Sequence, residues 1–301
     1  MVVTGRNGQV VRSLEERARG GEFEIVPLGR PELDLAATQE TIISAIEAAG
    51  ADVVVSAAAY TAVDKAESEP ELAFAINEAG ARAVARAAQG LRVPLIHLST
   101  DYVFDGTKES PYVEADPPNP TGVYGSSKLA GEQAVLAEHD NCAVLRTAWV
   151  YSPFGSNFVK TMLRLAGDRD AVGVVSDQRG NPTNALDIAD GILAVATNLR
   201  AGARSAQCGI FHMTAREDAS WAEFAEAIFA ASAQANGPSA SVRHIAAADY
   251  PTLATRPANS RLDCAKLERI HGVRLPSWRS SLPEVVSRLV DYSIHTRVSQ
   301  E

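Results

Sequence analysis

Tyr124 and Lys128 are the residues whose types and spacing are best suited to catalysis, and they lie four positions apart in the segment Tyr-Gly-Ser-Ser-Lys. On a helix, residues with this spacing share one face. A free tyrosine titrates at about pH 10 and donates protons slowly at neutral pH. A lysine ammonium within about 4–6 Å lowers that pKa towards the range in which acid–base catalysis works best. The spacing predicts a general acid, with Thr100 as a second hydroxyl at the same reacting oxygen.

A glycine turn near the amino terminus predicts a binding site for a diphosphate. The sequence reads TGRNGQVV over residues 4–11, directly after the first apolar run. Glycines at Gly5 and Gly8 would let backbone N–H groups and the positive end of a helix approach the anion. An ordinary strand-to-helix turn is the alternative. The third glycine of the usual dinucleotide fingerprint is Val11 here, so the fingerprint is incomplete.

Residues after the next two apolar runs bear on the type of cofactor. Arg30 follows the second run, and an arginine at this place suits a 2′-phosphate, whereas an acidic residue would hold the ribose 2′-hydroxyl of NAD. Arg30 therefore favours NADPH, while NADH and a plain surface charge stay open. The third run ends in Ala57 and Ala58, whose small side chains would let a flat cofactor lie close to the strand end or would serve helix packing.

Short apolar runs alternate with helical windows through the first half of the chain. The runs cover residues 1–4, 24–28, 52–58, 94–99 and 142–145, and the windows cover 9–19, 39–49, 70–89 and 125–138. Runs without polar alternation predict strands that are buried on both faces of a parallel sheet. The alternation predicts a doubly wound, Rossmann-like α/β fold, in which ligands bind beyond the carboxyl ends of the strands.

The second half of the chain is less regular and predicts a second, smaller unit. Helices are expected at 157–167, 185–198, 221–235 and 282–292, and strands at 171–175, 209–213 and 242–245. We expect a dinucleotide-binding domain at 1–150 and a smaller α/β substrate-binding domain at 151–301, with some segments returning to the first domain.

Composition excludes several classes of protein. Apolar residues make up 46% of the 301 residues and charged residues 22%, as in globular proteins rather than disordered ones. The net charge of −9 argues against a nucleic-acid partner. We expect a cytoplasmic protein without a membrane partner, because the sequence has neither a signal-peptide pattern nor a run of roughly 20 apolar residues. The three scattered cysteines do not form a disulfide framework.

Several longer stretches resemble the extended short-chain dehydrogenase/reductases and, within them, the dTDP-4-dehydrorhamnose reductase family. They are AAAYTAVDKAESEPELAFAIN (57–77), STDYVFDG (99–106), PPNPTGVYGSSKLAGEQAV (117–135), LRTAWVY (145–151), DQRGNPTNALDIA (177–189) and RPANSRLD (256–263). The Tyr-x-x-x-Lys pair marks only the superfamily, whereas these flanking stretches are far more specific.

The resemblance implies roles for individual residues. Tyr124 would donate the proton. Lys128 would lower the pKa of Tyr124 and hold the nicotinamide ribose. Thr100 and Asp101 would lie at the sugar carbonyl. Trp149 would contact the substrate through its indole face, with burial in the core as the alternative. Together with Gly5, Arg30, Ala57 and Ala58, the expected cofactor contacts are Gly8, Gln9, Val10, Asp34, Leu35, Ala59, Tyr60 and Thr61. Arg256 and Asn259 would contact the nucleotide half of the substrate, and a salt bridge within the loop is the alternative for that segment.

The function that the resemblance implies is NADPH-dependent reduction of the C4 ketone of dTDP-4-dehydro-6-deoxy-L-mannose to dTDP-L-rhamnose. Two other functions stay open: a non-catalytic, dinucleotide-binding regulatory subunit, and an epimerase or dehydratase that acts on another nucleotide sugar. Some relatives form a Mg²⁺-bridged dimer through an acidic residue early in the first helix. Residues 12–16 read RSLEE here, so the sequence assigns no metal ligand and leaves Mg²⁺ and a homodimer open.

Overall fold

The computed structural model of the chain describes residues 1–202 and 205–298. The strands are β1 (Val2–Thr4), β2 (Val26–Leu28), β3 (Val54–Ser56), β4 (Leu95–Thr100), β5 (Cys142–Thr147), β6 (Val150–Tyr151), β7 (Ala171–Val175), β8 (Arg179–Gly180), β9 (Thr183–Asn184), β10 (Gly209–His212), β11 (Ala219–Ser220) and β12 (Ser241–Ile245). The α-helices are α1 (Gln9–Arg17), α2 (Gln39–Ala49), α3 (Val63–Ala66), α4 (Pro70–Phe74), α5 (Ala81–Leu91), α6 (Val123–Glu138), α7 (Phe158–Asp168), α8 (Ala185–Arg200), α9 (Trp221–Gln234), α10 (Ala265–His271) and α11 (Trp278–Val298).

A parallel sheet with the strand order β2-β1-β3-β4-β5-β10 forms the centre of the fold. Successive side chains along a strand point to opposite faces, and both faces are apolar here. Val3, Val55 and Ile96 pack in one core with residues of α1 and α8. Val2 and Val54 pack in another core with residues of α2 and α5. The predicted doubly wound α/β fold is confirmed.

β1 and β3 are neighbours in the sheet. The sheet continues from β1 to β2 on one side and from β3 to β4 on the other, so the strand order reverses between them. The ends of neighbouring strands diverge at such a switch point and leave a crevice, which is where open α/β sheets bind their ligands. The glycine turn at residues 5–8 follows β1, and Ala57 follows β3. Both predicted cofactor segments therefore flank this crevice.

The second half of the chain is divided between the sheet and a smaller lobe. β10 returns to the central sheet and pairs with β5, with Gly209 opposite Ala143. The smaller lobe has its own core, in which Tyr151, Val172, Phe224 and Trp278 are buried. Residues 203–204 and 299–301 of the predicted second domain lie outside the described residues. Among the helices that are described, none is long and apolar enough to cross a membrane.

The predicted helix at 70–89 is interrupted in the structure. A π-helical segment, Ala75–Gly80, lies between α4 and α5. A Cβ atom on Gly80 would lie 2.6 Å from the carbonyl oxygen of Leu35, so the segment passes very close to the loop after β2. Apolar periodicity predicts the helical window, but it carries no signal for this π-helical turn.

A buried ion pair fixes α6 to the central sheet. The guanidinium of Arg146, on β5, donates from Nε and Nη2 to the two carboxylate oxygens of Glu132 at 2.9 and 2.7 Å. Each side chain is only 1% exposed. The guanidinium also lies 5.0 Å from the ring centroid of Phe104. Two parallel hydrogen bonds of this kind fix both distance and orientation.

We predict that Arg146→Met lowers the free energy of unfolding by about 3–5 kcal/mol, because it leaves the Glu132 carboxylate buried without a partner. The double variant Glu132→Leu with Arg146→Met should recover most of that loss. Arg274→Met breaks an exposed pair with Glu268 and should change stability by no more than about 0.5 kcal/mol. Urea unfolding curves measure all three. Equal losses for the buried and the exposed arginine would contradict the prediction.

Candidate active site

Helix α6 lies unusually close to the end of β4. A Cβ atom on Gly125 would be 2.2 Å from the carbonyl oxygen of Tyr102, and one on Gly131 would be 2.1 Å from the carbonyl oxygen of Asn77. Neither position can carry a side chain without moving the backbone. This close packing places the Tyr-x-x-x-Lys face of α6 at the carboxyl edge of the sheet.

The ammonium of Lys128 is turned towards β4. The residue is 3% exposed, and its Nζ donates to the carbonyl oxygen of Leu98 at 2.6 Å. Burial lowers the pKa of Lys128 to about 8, against the opposing effect of the Glu132 carboxylate. Burial raises the pKa of Tyr124 to about 12, although a hydrogen bond with Thr100 lowers it. The lowered tyrosine pKa expected from the sequence is therefore wrong for this structure.

Thr100 and Asp101 form a buried hydroxyl–carboxyl pair beside Tyr124. The Thr100 hydroxyl donates to Oδ1 of Asp101 at 2.9 Å and accepts from the backbone N–H of Tyr102 at 3.2 Å. Asp101 is 2% exposed, and burial raises its pKa to about 6 against the effect of its hydrogen bonds. The ring of Tyr102 meets that of Tyr124 edge to face, with 5.6 Å between centroids. Thus the structure brings together three of the predicted residues, Thr100, Asp101 and Tyr124, around one point.

The glycine turn has the geometry that an anion site needs. Gly5 has φ of +101°, which favours glycine. Helix α1 begins after Gly8, and no side chain caps it, so its first N–H groups have no partner within the helix. A Cβ atom on Gly29 would lie 3.2 Å from the carbonyl carbon of Gly5, so the turns after β1 and β2 touch. Val11, in place of the third glycine, is 1% exposed and packs in the core beneath the turn.

Thr4 joins the two sides of the switch point, and this role was not predicted from its residue type or spacing. Its buried hydroxyl accepts from the backbone N–H groups of Ala57 and Ala58 at 3.0 and 2.9 Å. The turn then continues through half-buried Ala59 to exposed Thr61. These bonds hold the alanines in place at the carboxyl end of β3.

Asn77 is a second residue that sequence reasoning missed. Its side chain accepts from Tyr60 N at 2.8 Å and donates to Tyr60 O at 3.1 Å and Ser127 Oγ at 3.0 Å. Ser127 in turn donates to the carbonyl oxygen of Tyr124 at 2.9 Å. Asn77 is one of several polar residues in the helical window at 70–89, so residue type alone did not single it out. This chain of bonds fixes α6 relative to the turn after β3.

The other predicted cofactor residues lie beyond β2 and β3. Arg30 is exposed, and Leu35 is buried in the core on the α2 side of the sheet. Asp34 accepts from the backbone N–H of Ala36 at 3.0 Å, so its carboxylate shapes its own turn. The Tyr60 hydroxyl donates to a carboxylate rather than pointing freely outward.

Trp149 is half-buried in an aromatic stack. Its φ is +46°, and its ring lies on that of Trp221 with 3.5 Å between centroids and 6° between planes. A Cβ atom on Gly180 would lie 2.5 Å from the indole, so the glycine makes room for it. The indole is therefore held rigidly at the start of the smaller lobe, directly after β5.

Arg256 and Asn259 are both engaged within the chain. Arg256 donates to Oδ2 of Asp64 at 2.7 Å, which is the loop salt bridge that the sequence left as the alternative. Asn259 is 7% exposed, and its Nδ2 donates to the carbonyl oxygens of Lys108 and Ser110. The Asn259 side chain fastens a loop, and the assignment of Asn259 to the substrate gains no support from these contacts.

Acidic residues of α1 pair with arginines. Glu15 lies 3.2 Å from Arg12, and Glu16 lies 2.8 Å from Arg288. Within residues 1–202 and 205–298, no three His, Cys, Asp or Glu side chains are grouped so that they could hold a metal ion. We therefore assign no residue to Mg²⁺.

A parallel sheet of this order, with a glycine turn at its switch point and a Tyr-x-x-x-Lys helix beside its fourth strand, defines the class of the extended short-chain dehydrogenase/reductases. Comparison with known proteins narrows that class. The family described as the RmlD substrate binding domain matches residues 1–290. The chain belongs to this family.

Similar proteins cover nearly the whole chain. The dTDP-4-dehydrorhamnose reductase of Sinorhizobium fredii is 51% identical over 96% of this chain and 97% of its own. The crystal structure of a dTDP-4-dehydrorhamnose reductase from Clostridium acetobutylicum has a TM-score of 0.88 and 35% identity, covering 96% of this chain and 98% of the other. That of the reductase from Bacillus anthracis, in complex with NADP, has a TM-score of 0.86 and 35% identity, covering 94% and 97%.

We predict that Asp101→Asn removes a pH dependence of stability. The folded-state pKa of Asp101 is about 6, above its ordinary 3.8, so the folded protein binds the proton more tightly than the unfolded chain. The contribution of Asp101 to stability is therefore full below pH 4 and is lost as the pH rises to about 6. We expect urea unfolding to show that the free energy of unfolding of Asp101→Asn, relative to the native sequence, is higher at pH 7.5 than at pH 4.5 by roughly 1–3 kcal/mol. A difference between the two proteins that does not change with pH would contradict this.

Proposed function

We propose that the chain catalyses NADPH-dependent reduction of the C4 ketone of dTDP-4-dehydro-6-deoxy-L-mannose to dTDP-L-rhamnose. The observation that carries the proposal is the position of Tyr124 and Lys128, at the same sheet edge as the glycine turn, in a chain 51% identical to a dTDP-4-dehydrorhamnose reductase. A regulatory subunit that only binds a dinucleotide would have no need of a buried lysine beside a tyrosine at that edge.

The residues at the switch point fit a nicotinamide dinucleotide. The uncapped start of α1 after Gly8 offers N–H groups and a positive helix end to the diphosphate. Ala57 and Ala58, clamped by Thr4, leave room along the end of β3. We assign exposed Arg30 to a 2′-phosphate, which favours NADPH over NADH. When bound, NADPH supplies the hydride that reduces the ketone carbon.

Tyr124 supplies the proton that the ketone oxygen takes up as its carbon is reduced, which gives the alcohol. Its raised pKa keeps the hydroxyl protonated at neutral pH. The phenolate that remains is stabilised by the positive charge of Lys128, on the same face of α6. Thr100 and Asp101 lie beside the tyrosine and orient the sugar, and Trp149 offers an apolar face to it.

The two lobes divide this work. We assign the cofactor to residues 1–150, and the sugar nucleotide mainly to residues 151–301. β10, although late in the chain, belongs to the central sheet. We assign Arg256 to the diphosphate of the substrate, for which it would exchange its bond to Asp64.

Absorbance of the nicotinamide band tests the activity with dTDP-4-keto-6-deoxy sugars of both C5 configurations. We expect one NADPH consumed per ketone reduced, and only with the L-mannose-configured sugar. An epimerase would recycle its cofactor without net consumption. Binding of NADPH with no turnover on any nucleotide sugar would favour the regulatory function.

We predict that Tyr124→Phe retains NADPH binding and lowers kcat by a factor of about 10²–10⁴, because it removes the proton donor and little else. Fluorescence titration gives the NADPH affinity, and the rate of NADPH oxidation gives kcat. Tyr250→Phe, at a tyrosine that is 61% exposed, is the matched control and should match the native rate. Near-native turnover in Tyr124→Phe would remove Tyr124 from its role.

We also predict that kcat/KM falls as the pH rises above about 8. The ammonium of Lys128 is required in its charged form, and its pKa is lowered to about 8 by burial. The proton of Tyr124 is not lost in this range, since its pKa is about 12. Rates of ketone reduction measured across this pH range check the prediction. A kcat/KM that stays level a full pH unit above this value would contradict it.

A further inference from the structure

The side chain of Gln9 is held by a segment of the smaller lobe rather than directed at the crevice. Its Nε2 donates to the carbonyl oxygen of Val150 at 3.3 Å. Its Oε1 accepts from Ser152 Oγ at 2.8 Å and from Asn157 Nδ2 at 2.9 Å. These partners are 141 to 148 residues away in sequence. Gln9 is the first residue of α1, so the bonds act at the end of the helix that faces the switch point.

The partners of Gln9 are themselves fixed. Ser152 is fully buried. Asn157 caps α7 by accepting from Lys160 N at 3.1 Å, and its Nδ2 also donates to the carbonyl oxygens of Ser152 and Phe154 at 2.8 and 3.2 Å. A side chain on a helix cap with this many bonds has little freedom to move. The Asn157 side chain can therefore fix the position of the Gln9 side chain, rather than adjusting to it.

Apolar and charged contacts hold the same segment against α1 one turn further on. The ring of Phe154 lies 5.7 Å from the guanidinium carbon of Arg12 and 5.6 Å from that of Arg288. Arg288, on α11, forms two bonds of 2.8 Å to Glu16. Helix α1 is thus fixed along its exposed side by residues of the smaller lobe.

We propose that Gln9, Ser152 and Asn157, here called the Gln9 clasp, are positioning residues that set the affinity for the dinucleotide. The inference rests on the proposed function, in which the diphosphate binds at the start of α1. Helix N–H groups bind an anion well only when they are already aimed at it, and small displacements of such groups have large effects. Oε1 of Gln9 accepts two bonds and Nε2 donates to Val150 O, so the side chain is held by the smaller lobe and in this proposal acts on the ligand through the helix.

The test uses uncharged changes that each remove one donor to Gln9 Oε1. Ser152→Ala removes the hydroxyl donor, and Asn157→Ser removes the amide donor while keeping a good helix cap. Ser232→Ala is the matched control. Ser232, on α9, is also fully buried, and its hydroxyl donates to the carbonyl oxygen of Pro238 at 2.6 Å. NADPH affinity is measured by fluorescence titration, dTDP affinity by calorimetry, and stability by urea unfolding.

We expect Ser152→Ala and Asn157→Ser each to weaken NADPH binding about tenfold, with dTDP binding unchanged. Ser232→Ala should lose comparable stability and keep native NADPH affinity. In the double variant Gln9→Met with Ser152→Ala, NADPH should bind no more weakly than in Gln9→Met alone, because the two residues act through one bond.

Native NADPH affinity in both Ser152→Ala and Asn157→Ser would overturn the clasp. Equal weakening in Ser232→Ala would also overturn it, since the effect would then follow general destabilisation. A native protein that binds NADPH but reduces no dTDP-sugar ketone would defeat the proposed function alone, because the clasp is judged by affinities and not by turnover.

Discussion

The close approach of α6 to the end of β4 is the constraint on which the candidate site depends. Gly125 and Gly131 bring the helix backbone within van der Waals contact of the segments that carry Tyr102 and Asn77. Tyrosine and lysine side chains of fixed length reach the carboxyl edge of β4 only from such a distance. The buried pair of Glu132 and Arg146 then binds the helix to β5, so α6 is restrained both along its axis and against the sheet.

Close packing also determines the electrostatics of the site. Burial raises the pKa of Asp101 to about 6 and lowers that of Lys128 to about 8, so both groups are shifted towards their neutral forms. Glu132 lies one helical turn beyond Lys128, and its negative charge counters part of the effect of burial. Arg146 in turn neutralises Glu132. Ionisable groups that titrate near neutral pH are destabilising when buried, and they are more often kept at functional sites than elsewhere.

The pattern of apolar residues was enough to predict the strands of the central sheet and the helices that pack on it, because each of these elements has a regular apolar pattern. Type and spacing likewise identified the glycine turn and the Tyr-x-x-x-Lys pair. The place of β10 beside β5, the π-helical turn at Ala75–Gly80 and the two-residue strands could not be predicted, since contacts between distant segments create them. The pKa of Tyr124 was mispredicted because burial raises it, and the burial of Tyr124 depends on the packing of distant segments. Spacing puts Lys128 on the same face, but the carbonyl of Leu98 determines where its ammonium points.

The two lobes are joined by polar contacts on both sides of the crevice, and this has a consequence for how ligands are bound. Asp64, on α3, accepts from Ala254 N at 3.2 Å and pairs with Arg256. Gln9, just after β1, is bound by Ser152 and Asn157. Each contact lies on the chain segment that follows a strand bordering the switch point. Any displacement of the smaller lobe would therefore move the turns that we propose to bind the cofactor. A ligand that orders one lobe reduces the conformational freedom that the other lobe must lose on binding. Because binding free energies are linked reciprocally, a cofactor that strengthens the binding of the sugar nucleotide would itself be bound more tightly, by the same factor, in its presence.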